Sequence, residues 1–274
     1  MGNLRKVLAN AKNKLCNNFG YENRDADFIL EKVLGRKFNT LEDIELNEKE
    51  LTKFQNLIER RLNHEPMDSI LGYTEFVGLT IPFSVDTLTP RQETEIMTDN
   101  IIRENCHRKG LKILDLCTGS GCIGLALSKH LLDADVTLSD TSDKALIIAK
   151  DNAEKNKINV KIIKSDLFEN IKDKYDIIVS NPPYIKSEDI STLEKEVVDF
   201  DPILALDGGK DGLDIYRAMA DNMAKYLCEN GLIYVEFGVG QTNDILKLFD
   251  RNFYDLEIIK DYSGIDRYLK AKRK

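Results

Sequence analysis

The feature of this sequence that most constrains its fold is a regular alternation of short β-prone runs and helical patterns after residue 111. The predicted strands are Lys112–Cys117, Asp135–Ser139, Val160–Lys164, Tyr175–Ser180, Leu232–Phe237, Leu256–Lys260 and Asp266–Lys270. Helical patterns such as Lys144–Lys155 fill most of the gaps between the earlier strands. A helical crossover returns the chain to the same end of a sheet, so the first four strands should run parallel. The alternation therefore predicts an α/β fold on a mostly parallel, seven-stranded sheet.

The first 68 residues show a different pattern, in which apolar residues recur three and four positions apart. The stripes cover residues 4–15, 26–34 and 51–62. Each stripe is typical of a helix with one buried face, so this part of the chain is predicted to form a small helical bundle. Gly35 is placed to end the second helix, and Asn47 with Glu50 resembles a capping box for the third.

A β-hairpin is predicted between the bundle and the α/β region. Tyr73–Val77 and Leu79–Val85 are short β-prone runs joined through Gly78. We therefore expect three parts, which are a helical bundle at 1–68, a hairpin linker at 69–88 and the α/β domain at 89–274.

Composition and charge narrow the classes of function. The chain has 39 Lys and Arg against 47 Asp and Glu, a net charge of −8, which argues against a protein that holds long nucleic acid through phosphate contacts alone. Its five cysteines form no C-x-x-C pair and its three histidines are scattered, so we expect reduced thiols and no metal site. No apolar run approaches the roughly 20 residues that cross a bilayer, so we expect a cytoplasmic protein without a membrane partner.

A glycine-rich loop follows the first predicted strand of the sheet. It consists of Cys117, Thr118, Gly119, Ser120 and Gly121. Ligands of open α/β sheets bind at this carboxyl edge, where Gly119 and Gly121 let the backbone approach closely and the next helix presents free N–H groups. With Gly124 the loop also matches the dinucleotide fingerprint. By itself it is equally compatible with a nicotinamide cofactor and with S-adenosylmethionine.

Three aspartates at strand ends favour S-adenosylmethionine. Asp140 follows the second strand, where a carboxylate can accept both hydroxyl protons of a ribose. Asp115 lies just before the loop and suits a cationic amino-acid moiety better than a pyrophosphate, which it would repel. After the third strand, Asp166 is placed to accept from an adenine amine, with Leu167 against the ring face.

The fourth predicted strand is followed by the turn Asn181, Pro182, Pro183 and Tyr184. Two prolines fix φ and cannot donate hydrogen bonds, so the turn is stiff and its carbonyl groups remain available. An amino group on a carbonyl or a heteroaromatic ring is a poor nucleophile because its lone pair is delocalised. If the Asn181 side-chain oxygen and the Pro182 carbonyl each accept one of its protons, they aim that lone pair at an electrophile. Tyr184 can stack on the planar group and exclude water.

The glycine loop and this turn together resemble the class I S-adenosylmethionine-dependent methyltransferases that act on planar amino nitrogens. Four further segments are similar to the HemK/PrmC family, the protein-(glutamine-N5) methyltransferases of peptide chain release factors. These segments are Pro90–Glu95, Asp201–Leu213, Glu236–Gln241 and Asp261–Arg267. The similarity runs from about Leu71 to the last residues, and the helical bundle fits the same architecture more loosely.

The resemblance implies a Rossmann-like class I methyltransferase domain and a bundle that docks the substrate. It implies a cytoplasmic enzyme that methylates the glutamine of the Gly-Gly-Gln loop in class I release factors and forms S-adenosylhomocysteine. The expected cofactor contacts are Cys117, Thr118, Gly119, Ser120, Gly121, Asp140, Leu167 and Asn181, with Asp166 added from its position. The expected glutamine contacts are Asn181, Pro182, Pro183 and Tyr184, and the expected catalytic residues are Asn181, Pro182 and Tyr184. We expect no metal and no stable binding of nucleic acid.

Three positions depart from the family pattern. Cys117 stands where glycine is usual, Gln92 where proline is usual, and Asp201 where glutamate is usual. In the same region, Glu93 and Glu95 either wall the site or serve as carboxylates at the start of a helix.

Two other classes of enzyme remain as alternatives at this point. An adenine-N6 or guanine-N2 methyltransferase of RNA or DNA would use the same turn on a flipped base. Its disadvantages are the negative charge and the absence of a basic recognition domain. A nicotinamide-dependent oxidoreductase would need a proton donor beside a hydride site, and we identify none in the sequence.

Overall fold

The computed structural model describes residues 2–20, 24–39, 45–250 and 252–273. The chain forms two compact units, of which the first contains residues 1–74 and 195–200 and the second contains residues 75–194 and 201–274. The sequence did not predict that residues 195–200 belong with the first unit. The domain limits at residues 68 and 88 remain predictions.

The first unit is helical, as its apolar stripes predict. It contains β1 (Gly2–Asn3), α1 (Leu4–Phe19), α2 (Asp25–Leu34), β2 (Glu45–Leu46), α3 (Glu48–Leu62) and α4 (Met67–Leu71), and β1 pairs with β2. The helices bury their stripes in one core, where Leu15, Ile29 and Leu30 are fully shielded from solvent. The predicted caps are confirmed, because Asn47 and Glu50 exchange both capping-box hydrogen bonds. Gly35 ends α2 with a left-handed φ of 67°.

A buried arginine attaches residues 195–200 to this unit. Arg61 donates from Nε to Asp25 at 2.7 Å and from its Nη1 to Glu196 at 2.6 Å. Its guanidinium also lies 4.3 Å from the centre of the Phe19 ring. A buried charge without these partners would be strongly destabilising. The short helix α8 (Lys195–Val198), which carries Glu196, therefore belongs with the bundle although it is distant in sequence.

The predicted hairpin is present as β3 (Tyr73–Phe76) and β4 (Leu79–Pro82). Its two-residue turn has φ values of 45° at Val77 and 71° at Gly78, which is the combination that tight hairpins with the right-handed strand twist require. Glu95 accepts the Val77 backbone N–H at 2.8 Å. This contact helps to hold a β-branched residue in a conformation that such residues rarely adopt.

The second unit is a seven-stranded sheet with helices. Its elements are α5 (Gln92–Asn105), β5 (Lys112–Leu116), α6 (Cys122–His130), β6 (Asp135–Asp140), α7 (Asp143–Asn156), β7 (Lys161–Lys164), β8 (Tyr175–Ser180), α9 (Asp214–Asn222), β9 (Leu227–Glu236), α10 (Thr242–Phe249), β10 (Phe253–Lys260) and β11 (Asp266–Arg273). The strand order is β10-β11-β9-β8-β5-β6-β7. The first four predicted strands are parallel, as expected, and β11 is antiparallel to both of its neighbours.

Strand register brings the loops of the predicted site to one level at the carboxyl edge of the sheet. Leu116 at the end of β5 is paired with Ser139 of β6 on one side and with Ser180 of β8 on the other. Ser180 is in turn paired with Val235 of β9. The chain runs from β5 through β6 to β7 and then crosses back to β8, so the strand order reverses between β5 and β8. Such a reversal opens a crevice in which α/β proteins bind ligands.

The start of α5 explains one of the departures from the family pattern. Gln92 is the first helical residue, and Arg91 before it is extended, with φ −100° and ψ 156°. The N–H group at this first position has no acceptor inside the helix, and an extended preceding residue is what a proline requires. We expect Gln92→Pro to raise the free energy of unfolding by about 0.4–1 kcal/mol, which is a rise in melting temperature of about 1–4 °C.

The control is Gln92→Ala, which removes the same side chain but keeps backbone freedom. Both variants can be compared with the unmodified chain by differential scanning calorimetry. A melting temperature of the proline variant at or below that of the alanine variant would contradict this account of the helix start.

Candidate active site

A cavity of about 310 Å³ lies at the carboxyl edge of the sheet, within the second unit. Its volume is at the lower end of the range typical of sites for small ligands. Eight of the predicted cofactor residues line it, namely Cys117, Thr118, Gly119, Ser120, Asp140, Asp166, Leu167 and Asn181. Gly121 is not among the lining residues. It precedes α6 with φ 81°, and a Cβ there would lie 3.2 Å from the Ala149 Cβ, so the backbone shape and packing favour glycine, whereas contact with a cofactor remains a prediction.

The glycine loop is held from below by a buried carboxylate. Asp115 is fully buried, and its Oδ2 accepts hydrogen bonds from the Thr118 hydroxyl at 2.5 Å and from the Gly124 N–H at 2.9 Å. The sequence analysis placed Asp115 against the charged end of a cofactor. In the structure Asp115 shapes the loop and is not among the residues that line the cavity, and its effect on a charged ligand remains a prediction. A Cβ on Gly124 would lie 2.2 Å from Leu138, so this glycine is required where α6 packs on the sheet.

Cys117 adopts the left-handed backbone conformation that favours glycine. Its φ is 59°, which costs a residue with a Cβ roughly 1–2 kcal/mol. Glycine, the usual residue of the family pattern here, adopts this conformation without that cost, and this chain accommodates a cysteine at the same bend. Burial raises the pKa of the Cys117 thiol to about 12, so the side chain faces the cavity as a neutral group.

Asp140 is positioned to bind hydroxyl groups of a ligand. One carboxylate oxygen accepts from the Gly119 N–H and the other from the Ser142 N–H, each at 2.9 Å. Each oxygen therefore receives one of these two backbone donors and keeps lone-pair capacity for a ligand hydroxyl. Asp166 is exposed at the next strand end, followed by Leu167 with φ 44°. These positions fit a ribose and a flat apolar ring.

The turn after β8 is packed against three glycines. A Cβ on Gly208 would lie 2.8 Å from the Tyr184 Cα, one on Gly212 would lie 2.4 Å from the Tyr184 carbonyl oxygen, and one on Gly238 would lie 3.0 Å from the Tyr184 ring. Gln241 donates from Nε2 to the Tyr184 carbonyl at 3.1 Å and accepts the Gly238 N–H at 2.8 Å. Two of the family-like segments, Asp201–Leu213 and Glu236–Gln241, therefore hold the turn in place.

The structure brings part of this turn to the cavity. Asn181 and Pro183 line the cavity, whereas Pro182 is buried and Tyr184 packs against the neighbouring core. Burial raises the pKa of the Tyr184 hydroxyl, which therefore stays neutral. Contact of Pro182 and Tyr184 with a substrate remains a prediction.

A buried network behind Asn181 was not predicted from the sequence. Asn181 donates from Nδ2 to the Thr94 hydroxyl at 3.1 Å, and Thr94 donates to the Glu236 carboxylate at 2.7 Å. Thr94 and Glu236 are 2% and 3% exposed. Burial raises the pKa of the Glu236 carboxyl to about 7. A charged residue at the end of an otherwise apolar strand was a signal for Glu236, whereas nothing in the sequence singled out Thr94.

Residues near the start of α5 organise the rim of the site. Glu93 forms an ion pair with Arg267 at 3.4 Å, and Glu95 accepts from the hairpin turn, so neither carboxylate walls the cavity. Arg91 does line the cavity and bonds to the buried carboxylate of Asp201. Asp201 is one methylene shorter than the glutamate that is usual in the family, but it still reaches Arg91 of the family-like segment Pro90–Glu95.

These features are those of a class I S-adenosylmethionine-dependent methyltransferase. The reversed strand order, the glycine loop and the carboxylate after β6 suit an adenosine that carries a short amino-acid chain. Within the described ranges, no cluster of three or more potential metal ligands occurs. The same ranges contain no helix of the length and hydropathy that crossing a bilayer requires.

Comparisons with known proteins define the family. A model described as the PrmC N-terminal domain matches residues 6–72, and one described as the methyltransferase small domain matches residues 89–199. A release factor glutamine methyltransferase from Agrobacterium fabrum is 43% identical over 231 residues, which is 82% of this chain and 80% of the relative. One from Thermodesulfovibrio yellowstonii is 37% identical over 265 residues, 93% and 94% of the two chains. The chain belongs to the release factor glutamine methyltransferase family.

Solved structures support the fold of the second unit. A Thermus thermophilus 16S rRNA methyltransferase in complex with S-adenosylmethionine and guanosine superposes with a TM-score of 0.55 at 17% identity. The match covers 74% of this chain and 50% of that chain. At this level of identity the likeness concerns the fold alone.

Replacement of Asp140 should weaken binding of the cofactor product. Asparagine has one acceptor oxygen where aspartate has two. In Asp140→Asn the amide NH₂, which cannot accept, must therefore face the Gly119 N–H, the Ser142 N–H or the ligand hydroxyl. We expect S-adenosylhomocysteine to bind about 10- to 100-fold more weakly, as for loss of a charge-assisted hydrogen bond. Isothermal titration calorimetry measures the change.

The matched control is Asp143→Asn, three residues further on. Asp143 is exposed and pairs with Lys164. It does not line the cavity, so this variant should bind like the unmodified chain. Equal weakening in both variants, or none in Asp140→Asn, would remove Asp140 from the binding site.

The buried carboxyls give stability a defined dependence on pH. Burial raises the pKa of Asp115 and of Glu236 to about 7, whereas the unfolded chain titrates near 4. Between pH 4 and pH 7 these two carboxyls are therefore more protonated in the native state than in the unfolded state. Their contribution to the free energy of unfolding falls as pH rises from about 4 to 7 and is constant above pH 7.

Urea unfolding at several pH values tests this dependence. Glu236→Gln lacks one of the two titrations, so the stability of the unmodified chain relative to this variant should fall as pH rises from about 4 to 7 and be level above. A difference that stays constant or grows with pH would show that Glu236 does not titrate with a raised pKa.

Proposed function

We propose that this chain transfers a methyl group from S-adenosylmethionine to the side-chain nitrogen N5 of the glutamine in the Gly-Gly-Gln motif of class I release factors. The observation that carries the proposal is the position of Asn181. It lines the same cavity as Asp140 and the glycine loop, and strand pairing sets the ends of β5 and β8 at one level. The named relatives act, by their names, on release factor glutamine.

The chemistry requires an acceptor site for two amide protons. The Asn181 side-chain oxygen and the Pro182 carbonyl oxygen each accept a hydrogen bond from one N–H of the glutamine amide. These two hydrogen bonds localise the lone pair on the nitrogen and aim it along the line of transfer. When bound, S-adenosylmethionine supplies an electrophilic methyl carbon on a sulfonium. Held beside Asn181, it would give up this methyl group to the amide nitrogen, with the electrons of the carbon–sulfur bond remaining on sulfur and the surplus proton of the nitrogen passing to solvent.

The protein contributes orientation and exclusion of water. The diproline turn is packed on glycines and held by Gln241, so its acceptor groups are preorganised before the substrate binds. Tyr184 stacks on the planar amide in this proposal, and Pro183 forms part of the wall. S-adenosylhomocysteine is the other product of the proposed reaction.

The proposed partner is the release factor itself, met in the cytoplasm, with the helical bundle at 1–68 adding contact area. The net charge of −8 supports a protein rather than a nucleic acid as substrate. Incubation with labelled methyl donor and, separately, release factor, tRNA, rRNA and DNA distinguishes the substrates. We expect label on the release factor alone, and mass spectrometry should place one added CH₂ on the glutamine of Gly-Gly-Gln. Label on a nucleic acid alone would replace this proposal by a nucleobase methyltransferase.

Removal of the Asn181 amide should slow the chemical step far more than it weakens cofactor binding. Asn181→Ala deletes one of the two proton acceptors, and we expect kcat to fall about 10²- to 10³-fold, as for loss of one preorganised polar group. The dissociation constant of S-adenosylhomocysteine should change only a few-fold.

The control is Asn156→Ala. Asn156 bonds to the Thr80 carbonyl at 3.2 Å and does not line the cavity. Its turnover should equal that of the unmodified chain. Full activity of Asn181→Ala with purified release factor would exclude the proposed role.

A further inference from the structure

The orientation of a side-chain amide is decided by its hydrogen-bond partners, because its oxygen and nitrogen ends have the same shape. For Asn181 the orientation matters, since the proposed function needs its oxygen, and not its NH₂, toward the substrate. Asn181 is the first residue after β8, Thr94 lies in the first turn of α5, and Glu236 ends β9. Three separate elements therefore meet at this one amide.

The directions of the hydrogen bonds among Asn181, Thr94 and Glu236 follow from the number of protons that each side chain can donate. When Glu236 is ionised, the Thr94 hydroxyl, which has one proton and lies 2.7 Å from the Glu236 Oε2, donates to that carboxylate. Its oxygen can then only accept at its other contact, 3.1 Å away, so Asn181 must present Nδ2 there. The Asn181 NH₂ also bonds toward the Glu236 carboxylate, which lowers the pKa of that carboxyl against the effect of burial.

The reversed amide is strongly disfavoured. It would place the Asn181 oxygen against the Thr94 oxygen and near a carboxylate, with no proton between them. It would also turn the NH₂ group toward the cavity, where it would repel the N–H groups of a carboxamide substrate. We propose that Thr94 and Glu236 are positioning residues that hold the Asn181 carbonyl oxygen toward the methyl acceptor. This inference rests on the proposed function and adds two residues to its machinery.

The contacts around Thr94 and Glu236 support their role as positioning residues. Thr94 and Glu236 are both almost fully buried, and burial of a carboxylate is costly unless its partners satisfy it. The Arg267 charge favours ionised Glu236, whereas the Glu93 charge opposes it. The Tyr216 hydroxyl donates to the backbone carbonyl of Glu236 at 2.8 Å and so fixes the end of the strand.

The test compares Thr94→Val with Thr94→Ser and with a matched control. Valine has the shape of threonine but no hydroxyl, so the Asn181 amide loses the Thr94 acceptor and keeps only the Glu236 carboxylate. We expect kcat for release factor methylation to fall about 10- to 100-fold, the scale of a misplaced reactive group. KM for the release factor and the dissociation constant of S-adenosylhomocysteine should stay within about threefold. Serine restores the hydroxyl and should recover most of the rate.

The matched control is Thr98→Val, one helical turn further along α5. Thr98 is also fully buried, but its hydroxyl bonds to the Thr94 backbone carbonyl at 2.8 Å and does not contact Asn181. This variant should keep the kcat of the unmodified chain. If Thr94→Val does not fold, Thr94→Ala removes the same hydroxyl without bulk and should show the same loss of kcat.

A double-mutant cycle separates positioning from general disruption. In the Asn181→Ala background the amide is already gone, so adding Thr94→Val should cost no further activity. Losses that multiply, or a Thr94→Val enzyme with normal kcat, would overturn the inference. These outcomes are distinct from failure of the proposed function, in which the unmodified chain itself leaves the Gly-Gly-Gln glutamine unmethylated.

Discussion

The register of the parallel strands is the constraint on which the site depends. Leu116 pairs with Ser139 and Ser180, and Ser180 pairs with Val235. The residues that follow these positions, which are Cys117, Asp140, Asn181 and Glu236, therefore lie at one level at the carboxyl edge of the sheet. A shift of one residue in any strand would turn its side chains to the opposite face and separate the groups. The Ser180 hydroxyl, 2.6 Å from the Leu116 carbonyl, reinforces the central pairing.

Buried polar groups then turn this edge into a shaped site. Asp115 holds the glycine loop from below, and Glu236 with Thr94 holds the amide after β8. Both carboxylates are desolvated, which is unfavourable for their charged forms. This loss of stability occurs at the two places where a loop must keep one conformation. The apolar side chains on the two faces of the sheet supply the compensating burial.

Sequence patterns predicted the elements well and the contacts of single residues less well. All seven predicted strands are present, and eight of the predicted cofactor residues line one cavity. Asp115, Gly121, Pro182 and Tyr184 are not among the residues that line this cavity, and their contacts with a ligand remain predictions. A spacing argument locates a residue at a strand end, but it does not say which way the side chain points after a left-handed bend such as that at Cys117. Attachment of residues 195–200 to the bundle depends on Arg61, a contact across 135 residues.

The amino-acid sequence alone determined the class of fold and the edge of the sheet at which the glycine loop and the diproline turn lie. Those features follow from hydrophobic period, turn residues and the positions of glycines, which act over short stretches of chain. Only the tertiary structure decided which oxygen or N–H group each polar side chain meets. Hydrogen bonds depend on tenths of an ångström and on direction, and Asn181, Thr94 and Glu236 reach that precision only because separate elements pack together around them.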